Sequence, residues 1–182
     1  ARVMARAMVA VQLARSTLNP EAQMQMVIDH DGACGQLVVD AWPDGGMRAM
    51  VMHAEADDVG QPLLGIGTCT LIRYSARGGA YRSAVTLAED GIDGAMMRYM
   101  LESEQILCLL RPEVDITDGE VRFAGGFMVQ VTPEGSAADL ERLVGNLEAL
   151  DSLCDAMSED DPDAKRWSRQ MLQGFHWDQC AR

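Results

Sequence analysis

The sequence predicts an α+β fold, in which antiparallel β-sheets carry helices on their faces and are followed by a helical linker region. Short apolar or alternating runs are separated by turn signals such as Asp31-Gly32 and Pro43-Asp44-Gly45-Gly46, which predicts hairpin-linked strands. Other segments repeat apolar residues at steps of three and four, which predicts amphipathic helices before and after the strands. Grouped strands with helices outside them are typical of α+β domains.

The first half of the chain predicts one helix and five strands. Residues 1–18 place Met4, Val11 and Leu18 on one helical face, and Asn19-Pro20 ends the pattern. Three runs then predict an antiparallel meander, and two further runs flank a glycine turn and predict a hairpin. These five runs are residues 24–30, 35–42, 47–53, 64–74 and 80–87.

A second amphipathic helix is predicted at residues 91–105, with Asp93 as its expected cap. Glu102 and Glu104 lie two residues apart on this helix and point in different directions, so they cannot act as a pair of catalytic carboxylates without a sharp change in backbone direction. We expect Glu104 to tie the end of the helix to a strand.

Two core strands are predicted after this helix, at residues 106–110 and 122–132, with a polar turn after Arg111-Pro112. The second strand contains Gly125-Gly126. Glycine weakens a strand and leaves no side chain, so either another group approaches this backbone closely or the strand bends here.

The composition changes after Pro133, where the sequence predicts a separate helical segment. Ser136 and Asp139 have the spacing of a capping box, and a leucine-rich face follows them. One helix is predicted over residues 136–157, and an acidic break separates it from a shorter helix that carries Trp167 and Met171. The apolar face of the longer helix comprises Leu140, Leu143, Leu147, Leu150 and Cys154, with Val144 and Met157 beside it.

The order and spacing of Ser103-Glu104-Gln105 and Gly125-Gly126, together with Cys180 and Arg182 near the end, resemble the bacterial heat-shock protein 33 family. The resemblance implies a chaperone-like α/β domain at residues 1–133, expected to lack its start, and a helical linker region at 134–175. Residues 176–182 would begin a truncated zinc-type segment. Members of that family are redox-regulated, dimeric, cytoplasmic stress-response chaperones. They bind unfolding proteins without ATP, after oxidation releases zinc and loosens the linker.

This resemblance and the leucine-rich face together predict the client-binding residues. A helix of this kind can dock on the sheet or open to offer its apolar face to an unfolded protein. In the resting protein we expect the docked form, with the open form as a minority state. The candidate residues are Leu140, Leu143, Leu147, Leu150, Met157, Trp167, Met171 and Phe175.

The zinc motif of the family is altered in this sequence. The family opens its zinc segment with two cysteines one residue apart, whereas here Asp178 precedes Cys180. A carboxylate can bind zinc but cannot form a disulfide, so redox regulation is expected to be lost or altered. We expect no bound zinc in the chain as it stands, because one thiol, Cys180, cannot hold a structural metal.

Charge and apolar content limit the partners. The formal net charge is -13 and Lys165 is the only lysine. The electrostatic field of the protein therefore repels phosphate backbones, and we do not expect nucleic acid to be a partner. No apolar run reaches the length of a membrane span, and no leader sequence precedes the first helix. We therefore expect a cytoplasmic protein without a membrane partner.

An enzyme is the competing hypothesis. His30 and His53 lie at the ends of predicted strands and, with Cys34, could form a metal site or a cysteine nucleophile with its base. The simpler interpretation, which we favour, is that both histidines are polar strand-end residues facing water, and we predict that the protein is not an enzyme. A third hypothesis is a non-chaperone interaction domain on the same fold.

Overall fold

The computed structural model describes residues 1–75, 77–132, 135–150, 152–158 and 164–175. The chain divides into two compact units, residues 1–130 and residues 131–182. The first unit contains nine elements among its described residues: α1 (Arg2–Ser16), β1 (Gln23–His30), β2 (Leu37–Ala41), β3 (Met47–Val51), β4 (Gly67–Tyr74), β5 (Ala80–Leu87), α2 (Gly91–Ser103), β6 (Cys108–Thr117) and β7 (Glu120–Gln130). The predicted α+β class is confirmed.

One antiparallel sheet has the strand order β3-β2-β1-β4-β5. Its central strand, β1, places Met26 opposite Val39 on one side and opposite Leu71 on the other. Alternate side chains of β1 (Met24, Met26 and Ile28) are fully buried, as the period of a strand with one covered face requires. The predicted meander and hairpin are both confirmed, and the pairing of β1 with β4 joins them into one sheet.

The second sheet is the hairpin of β6 and β7. Strand β6 continues through Pro112 to Thr117, so the predicted polar turn after Arg111-Pro112 is wrong, and the turn lies at Asp118 and Gly119. Proline is tolerated because both strands of a two-stranded sheet are edges, so its missing N–H can face away from the partner strand.

Of the two alternatives predicted at Gly125-Gly126, a close approach or a bend, the structure shows the close approach. A Cβ atom at Gly126 would lie 2.6 Å from the carbonyl oxygen of Arg111 on the neighbouring strand, whereas one at Gly125 would meet the ring of Phe123. Gly126 therefore allows the two strand backbones to come together.

Helices α1 and α2 supply the other layer of the core. The small face of α1 (Ala7, Ala10, Val11 and Ala14) is fully buried, as are Met96 and Met100 of α2. Helix α2 begins at Gly91 after an N-cap at Asp90, so the predicted cap at Asp93 is wrong. Asp93 instead lies in the first turn and forms an ion pair with Arg6 of α1 at 2.5 Å.

The second unit contains α3 (Ala137–Glu148), α4 (Leu153–Ser158) and α5 (Ala164–Met171). The capping box is confirmed, because the Asp139 amide donates to Ser136 Oγ at 3.1 Å and the Ser136 amide donates to Asp139 Oδ2 at 3.0 Å. The single helix predicted over residues 136–157 is wrong, because α3 ends at Glu148. The hydroxyl of Ser152 accepts from the amide of Asp155 at 3.4 Å at the start of α4 and thereby favours a new helix there.

Candidate functional site

Part of the apolar face of α3 is buried, together with two apolar side chains of α5. Leu143 and Leu147 are 5% and 9% exposed, and Trp167 and Met171 of α5 are 7% exposed each. These four predicted client-binding residues are therefore covered in the folded unit. They can contact a client only if they become exposed.

Polar contacts hold the end of α5 against α3. The side-chain amide of Asn146 donates to the carbonyl oxygens of Met171 and Gln173, both at 2.9 Å. The guanidinium of Arg142 donates to the carbonyl oxygen of Gly174 at 3.0 Å and lies over the ring of Phe175. Because these contacts are partly exposed to water, each contributes modestly to stability.

The remaining predicted client-binding residues differ in their placement. Leu140 is 37% exposed, and Val144, one turn further along α3, is 41% exposed. Leu150 and Phe175 are half-buried, with Leu150 in the connection after α3. Met157 belongs to α4, but its side chain lies outside the described residues, as does the whole of Cys180.

Two exposed methionines on the first unit were missed by the sequence reasoning. Met50 on β3 and Met52 just after it are 63% and 61% exposed. Met47, Ala49 and Val51 pack against the core, so alternation along the strand sends residues 48, 50 and 52 to the opposite face. That alternation was the available signal. A strand of this kind buries one face in the core, so when both faces carry apolar residues, one apolar face remains for water or a partner.

An apolar groove of about 570 Å³ lies between α1, the start of β3 and β7. It is lined mainly by Met4, Met8, Leu13, Met47 and Val121, with Gly125 and Gly126 in its wall. Methionine side chains adapt their shape to irregular neighbours, which suits contacts with dissimilar partners. The first unit thus carries apolar surface of its own.

The structure brings His30 and Cys34 together, with Nε2 of His30 at 3.5 Å from Sγ of Cys34. Nδ1 of His30 accepts hydrogen bonds from the amides of Gly32 at 2.8 Å and Gly65 at 3.2 Å. A neutral ring must therefore carry its proton on Nε2 and donate it toward the sulfur. His30 in this state can neither remove the thiol proton of Cys34 nor offer the Nε2 lone pair to a metal.

Three of the described thiols are also poor nucleophiles. Burial raises the pKa of the Cys34 and Cys108 thiols, and it raises the pKa of Cys69 to about 12. The ring of His53 lies beside Gly35. Among the described residues, no group of three or more His, Cys, Asp or Glu side chains is placed to hold a metal ion. The enzyme hypothesis built on His30, Cys34 and His53 is therefore not favoured.

Glu104 ties the end of α2 to the sheet, as predicted. Its carboxylate accepts from the hydroxyl of Tyr99 at 2.5 Å and from the guanidinium of Arg73 on β4 at 2.7 Å. Beside it, the hydroxyls of Ser103 and Ser83 are hydrogen-bonded at 2.5 Å, which joins α2 to β5. Ser103 and Glu104 of the triplet thus join the helix to the sheet.

Within the parts of the chain that the structure describes, every helix falls short of the length and apolar content that a membrane crossing needs. The features above define a class of protein: a two-sheet α+β domain followed by a separate amphipathic helical unit. The same fold occurs in the crystal structure of the 33 kDa chaperonin (heat shock protein 33 homolog) of Thermotoga maritima. The two chains superpose with a TM-score of 0.80 at 21% identity, over 93% of this chain and 61% of that one.

Sequence comparison identifies the family within this class. The family model described as "Hsp33 protein" matches residues 1–179. The 33 kDa chaperonin of Thermus thermophilus is 32% identical over 87% of this chain, and that of a Cyanothece species is 34% identical over 75%. The chain therefore belongs to the Hsp33 family. It spans 48% of the length of each of these two relatives.

Proposed function

We propose that this protein is an ATP-independent chaperone that holds unfolding proteins through the apolar interior of its second unit. The family supports this function, since the curated relatives are named 33 kDa chaperonins. The observation that carries the proposal is that Leu143, Leu147, Trp167 and Met171 are buried although the helices that carry them have only 12 and 8 residues.

Opening such a unit requires little free energy. Helices of this length are marginal by themselves, and their stability comes from packing against one another. Local opening of a small unit can therefore cost much less free energy than global unfolding. When the unit opens, the leucine face of α3 becomes available to an apolar segment of a client, as in other helix-and-groove contacts.

The experiment is suppression of the aggregation of a heat-denatured client, followed by light scattering. Two variants distinguish the effect of opening the second unit from the effect of binding the client. Asn146→Ala removes the two hydrogen bonds to the end of α5 and leaves the leucine face intact. Each such bond contributes about 1 kcal/mol, so the open population is expected to rise roughly 5- to 30-fold and holding activity with it.

Leu147→Ser also destabilises the second unit, but it places a hydroxyl in the proposed client surface. Holding activity is expected to fall in this variant although its open population rises. Equal activity of the two variants, or no suppression of aggregation by the wild-type protein under reducing or oxidising conditions, would contradict the proposal. In the second case a non-chaperone interaction domain becomes the better hypothesis.

The redox control of the family is proposed to be lost or altered here. Asp178 stands where a first cysteine is expected, and this position lies outside the described residues, as Cys180 does. Asp178 cannot take part in a disulfide. We expect the purified chain to contain no stoichiometric zinc by elemental analysis, and peroxide treatment to leave its holding activity unchanged.

We also propose several other properties of the family for this chain. They are a homodimer, a cytoplasmic location and unfolded proteins as the partners, with neither nucleic acid nor membrane among them. The non-enzymatic role is supported by the chaperone names of the relatives. Sedimentation of the purified chain tests the dimer directly.

A further inference from the structure

His30 is the last residue of strand β1 and lies where two loops cross. The first loop, residues 31–35, leads from β1 toward β2, and the second, residues 62–66, leads into β4. The amide of Ala33 donates to the carbonyl oxygen of Pro62 at 2.9 Å, and the amide of Cys34 donates to that of Leu63 at 3.1 Å. The two loops are therefore joined directly through their backbones.

Glycine makes this crossing possible. A Cβ atom at Gly65 would lie 2.6 Å from the amide nitrogen of Gly32, and a Cβ atom at Gly32 would lie 2.4 Å from the amide nitrogen of Gly65. No side chain fits between the two backbones. Both glycine amides point instead at the same acceptor, Nδ1 of His30.

The protons of this cluster have one consistent arrangement. Nδ1 accepts from the two amides, Nε2–H faces Sγ of Cys34 at 3.5 Å, and the thiol can donate to the carbonyl oxygen of Gly35 at 3.7 Å. Protonation of the ring would add an N–H at Nδ1. This donor would point at the amide N–H groups of Gly32 and Gly65, which are also donors. Both amide hydrogen bonds would then be lost, and the donors would repel one another.

We propose that His30 is a proton-operated clasp between the two loops, closed while its ring is neutral and opened by protonation. Opening removes the hydrogen bonds that the amides of Gly32 and Gly65 donate to His30 and weakens the crossing, where the backbone bonds of Ala33 and Cys34 remain. It also uncovers Cys34, which is only 5% exposed in the closed form. This inference does not depend on the holding activity proposed above.

The charged neighbours of His30 set the pH at which the clasp opens. Asp29, Asp31 and Cys34 lie beside it, His53 lies beside Gly35, and Glu89 lines one cleft with Asp31 and Gly65, while residues 62–68 carry no titratable group. Asp29 accepts from the side-chain amide of Gln36, and Asp31 accepts from the amide of Ile66. Burial lowers the pKa of His30 below its ordinary value of 6.5, against the opposing effects of Asp31, the Gly35 carbonyl and Asp29.

The sign of the pH effect follows from that direction. Because the folded protein holds its His30 proton less tightly than the unfolded chain does, the contribution of His30 to stability is complete above pH 6.5. It is lost as the pH falls through the folded-state pKa. The clasp is thus expected to open in mildly acidic solution.

Nuclear magnetic resonance tests the clasp between about pH 7.5 and about pH 5. Three readouts are expected to share one midpoint below 6.5: the protonation of Nδ1 of His30, the amide shifts of Gly32 and Gly65, and the loss of hydrogen-exchange protection at Gly65. Above the midpoint, the open fraction is expected to rise about tenfold for each unit of decreasing pH.

The matched variant is His30→Asn, because Oδ1 of asparagine branches from Cγ as Nδ1 does and accepts hydrogen bonds without titrating. This variant is expected to keep the Gly65 amide protected throughout the pH range. His53→Asn is the control histidine and should leave the transition of Gly65 unchanged.

Labelling of Cys34 by 4,4′-dithiodipyridine, which reacts in acid, gives a second measurement that does not require a folded asparagine variant. Peptide mapping of the wild-type protein should show Cys34 labelling increasing with the Gly65 transition, while labelling of Cys69 stays constant. Unchanged Gly65 protection while His30 protonates would overturn the proposal. So would a transition that persists in a folded His30→Asn variant, or Cys34 labelling that does not follow the Gly65 amide.

Discussion

The hydroxyl of Tyr99 donates to Oε1 of Glu104 at 2.5 Å, across the end of helix α2. Tyr99 is 1% exposed, and burial, followed by the hydrogen bond to Glu104, raises the pKa of its phenol. Oε2 of the same carboxylate accepts from Arg73. The carboxylate of Glu104 therefore accepts hydrogen bonds from a buried hydroxyl in the core and from an arginine on the sheet.

Replacing Glu104 is expected to destabilise the first unit. Glu104→Gln removes the charge that pairs with Arg73 and leaves a weaker acceptor for Tyr99, so the free energy of unfolding should fall by about 1–3 kcal/mol. Urea denaturation measures this change. Tyr99→Phe removes only the hydroxyl and should cost about 1 kcal/mol. Strict additivity in the double variant would show that the two side chains are not coupled.

Alanine substitutions at the paired glycines of β7 are expected to differ. Gly126→Ala forces a Cβ atom against the carbonyl oxygen of Arg111 and the Cα of Pro112, which are backbone atoms that cannot turn aside. A loss of about 1–3 kcal/mol is expected from denaturation curves.

Gly125→Ala is the matched control, because its Cβ would meet the movable ring of Phe123. Its cost should stay below about 1 kcal/mol, since alanine also restrains the unfolded chain more than glycine does. An equal cost at the two positions would mean that the approach of the β6 backbone to Gly126 is unimportant.

The capping box of α3 gives a local prediction in the second unit. Ser136→Ala removes the acceptor for the Asp139 amide and should destabilise α3 by about 1 kcal/mol, whereas Ser136→Gly should cost only a few tenths. Hydrogen exchange of the α3 amides measures both changes. Faster exchange is expected in the alanine variant only among residues of the second unit, and slowing in any α3 amide would contradict the assignment.

Asp93 and Asp90 are expected to respond to pH in opposite directions. Burial raises the pKa of Asp93 in spite of Arg6, so its favourable contribution is complete below its ordinary pKa of 3.8 and is lost as the pH rises through the folded-state value. The hydrogen bond from Arg98 lowers the pKa of Asp90, so its contribution is present above 3.8 and is lost in acid.

The comparison uses Asp93→Asn and Asp90→Asn in denaturant titrations across the acidic range. Relative to the wild-type protein, Asp93→Asn should be most favourable near neutrality and lose that advantage in acid. Asp90→Asn should be least favourable near neutrality and recover in acid. Parallel pH profiles for the two variants would contradict the opposite shifts.

Local patterns determined most of the elements. Alternating and continuous apolar runs predicted β1 to β5, and spacing at three and four residues predicted α1 and α2, because burial of one face imposes the period of the backbone on the sequence. The capping box at Ser136 and the link from Glu104 to a strand were also readable, since both depend on residues close in the chain or at an element end.

Long-range placement was not readable. Asp93 faces Arg6 rather than capping α2, and these two residues are 87 positions apart. Pro112 lies inside a strand because β6 is an edge, and which strands become edges is decided when the sheets assemble. The break between α3 and α4 was missed because Leu150 continues the leucine spacing although Ser152 starts a new helix.

The sequence by itself determined the fold class, the strand and helix faces and the family resemblance, because these follow from periodicity and short motifs. Only the tertiary structure decided that Glu104 meets Arg73 and that the amide of Gly65 reaches His30. These partners are separated by 31 and 35 residues; the first contact depends on the packing of α2 against the sheet, and the second on β4 pairing with β1. No local pattern specifies that pairing, because it is fixed by the joint burial of many side chains from different elements.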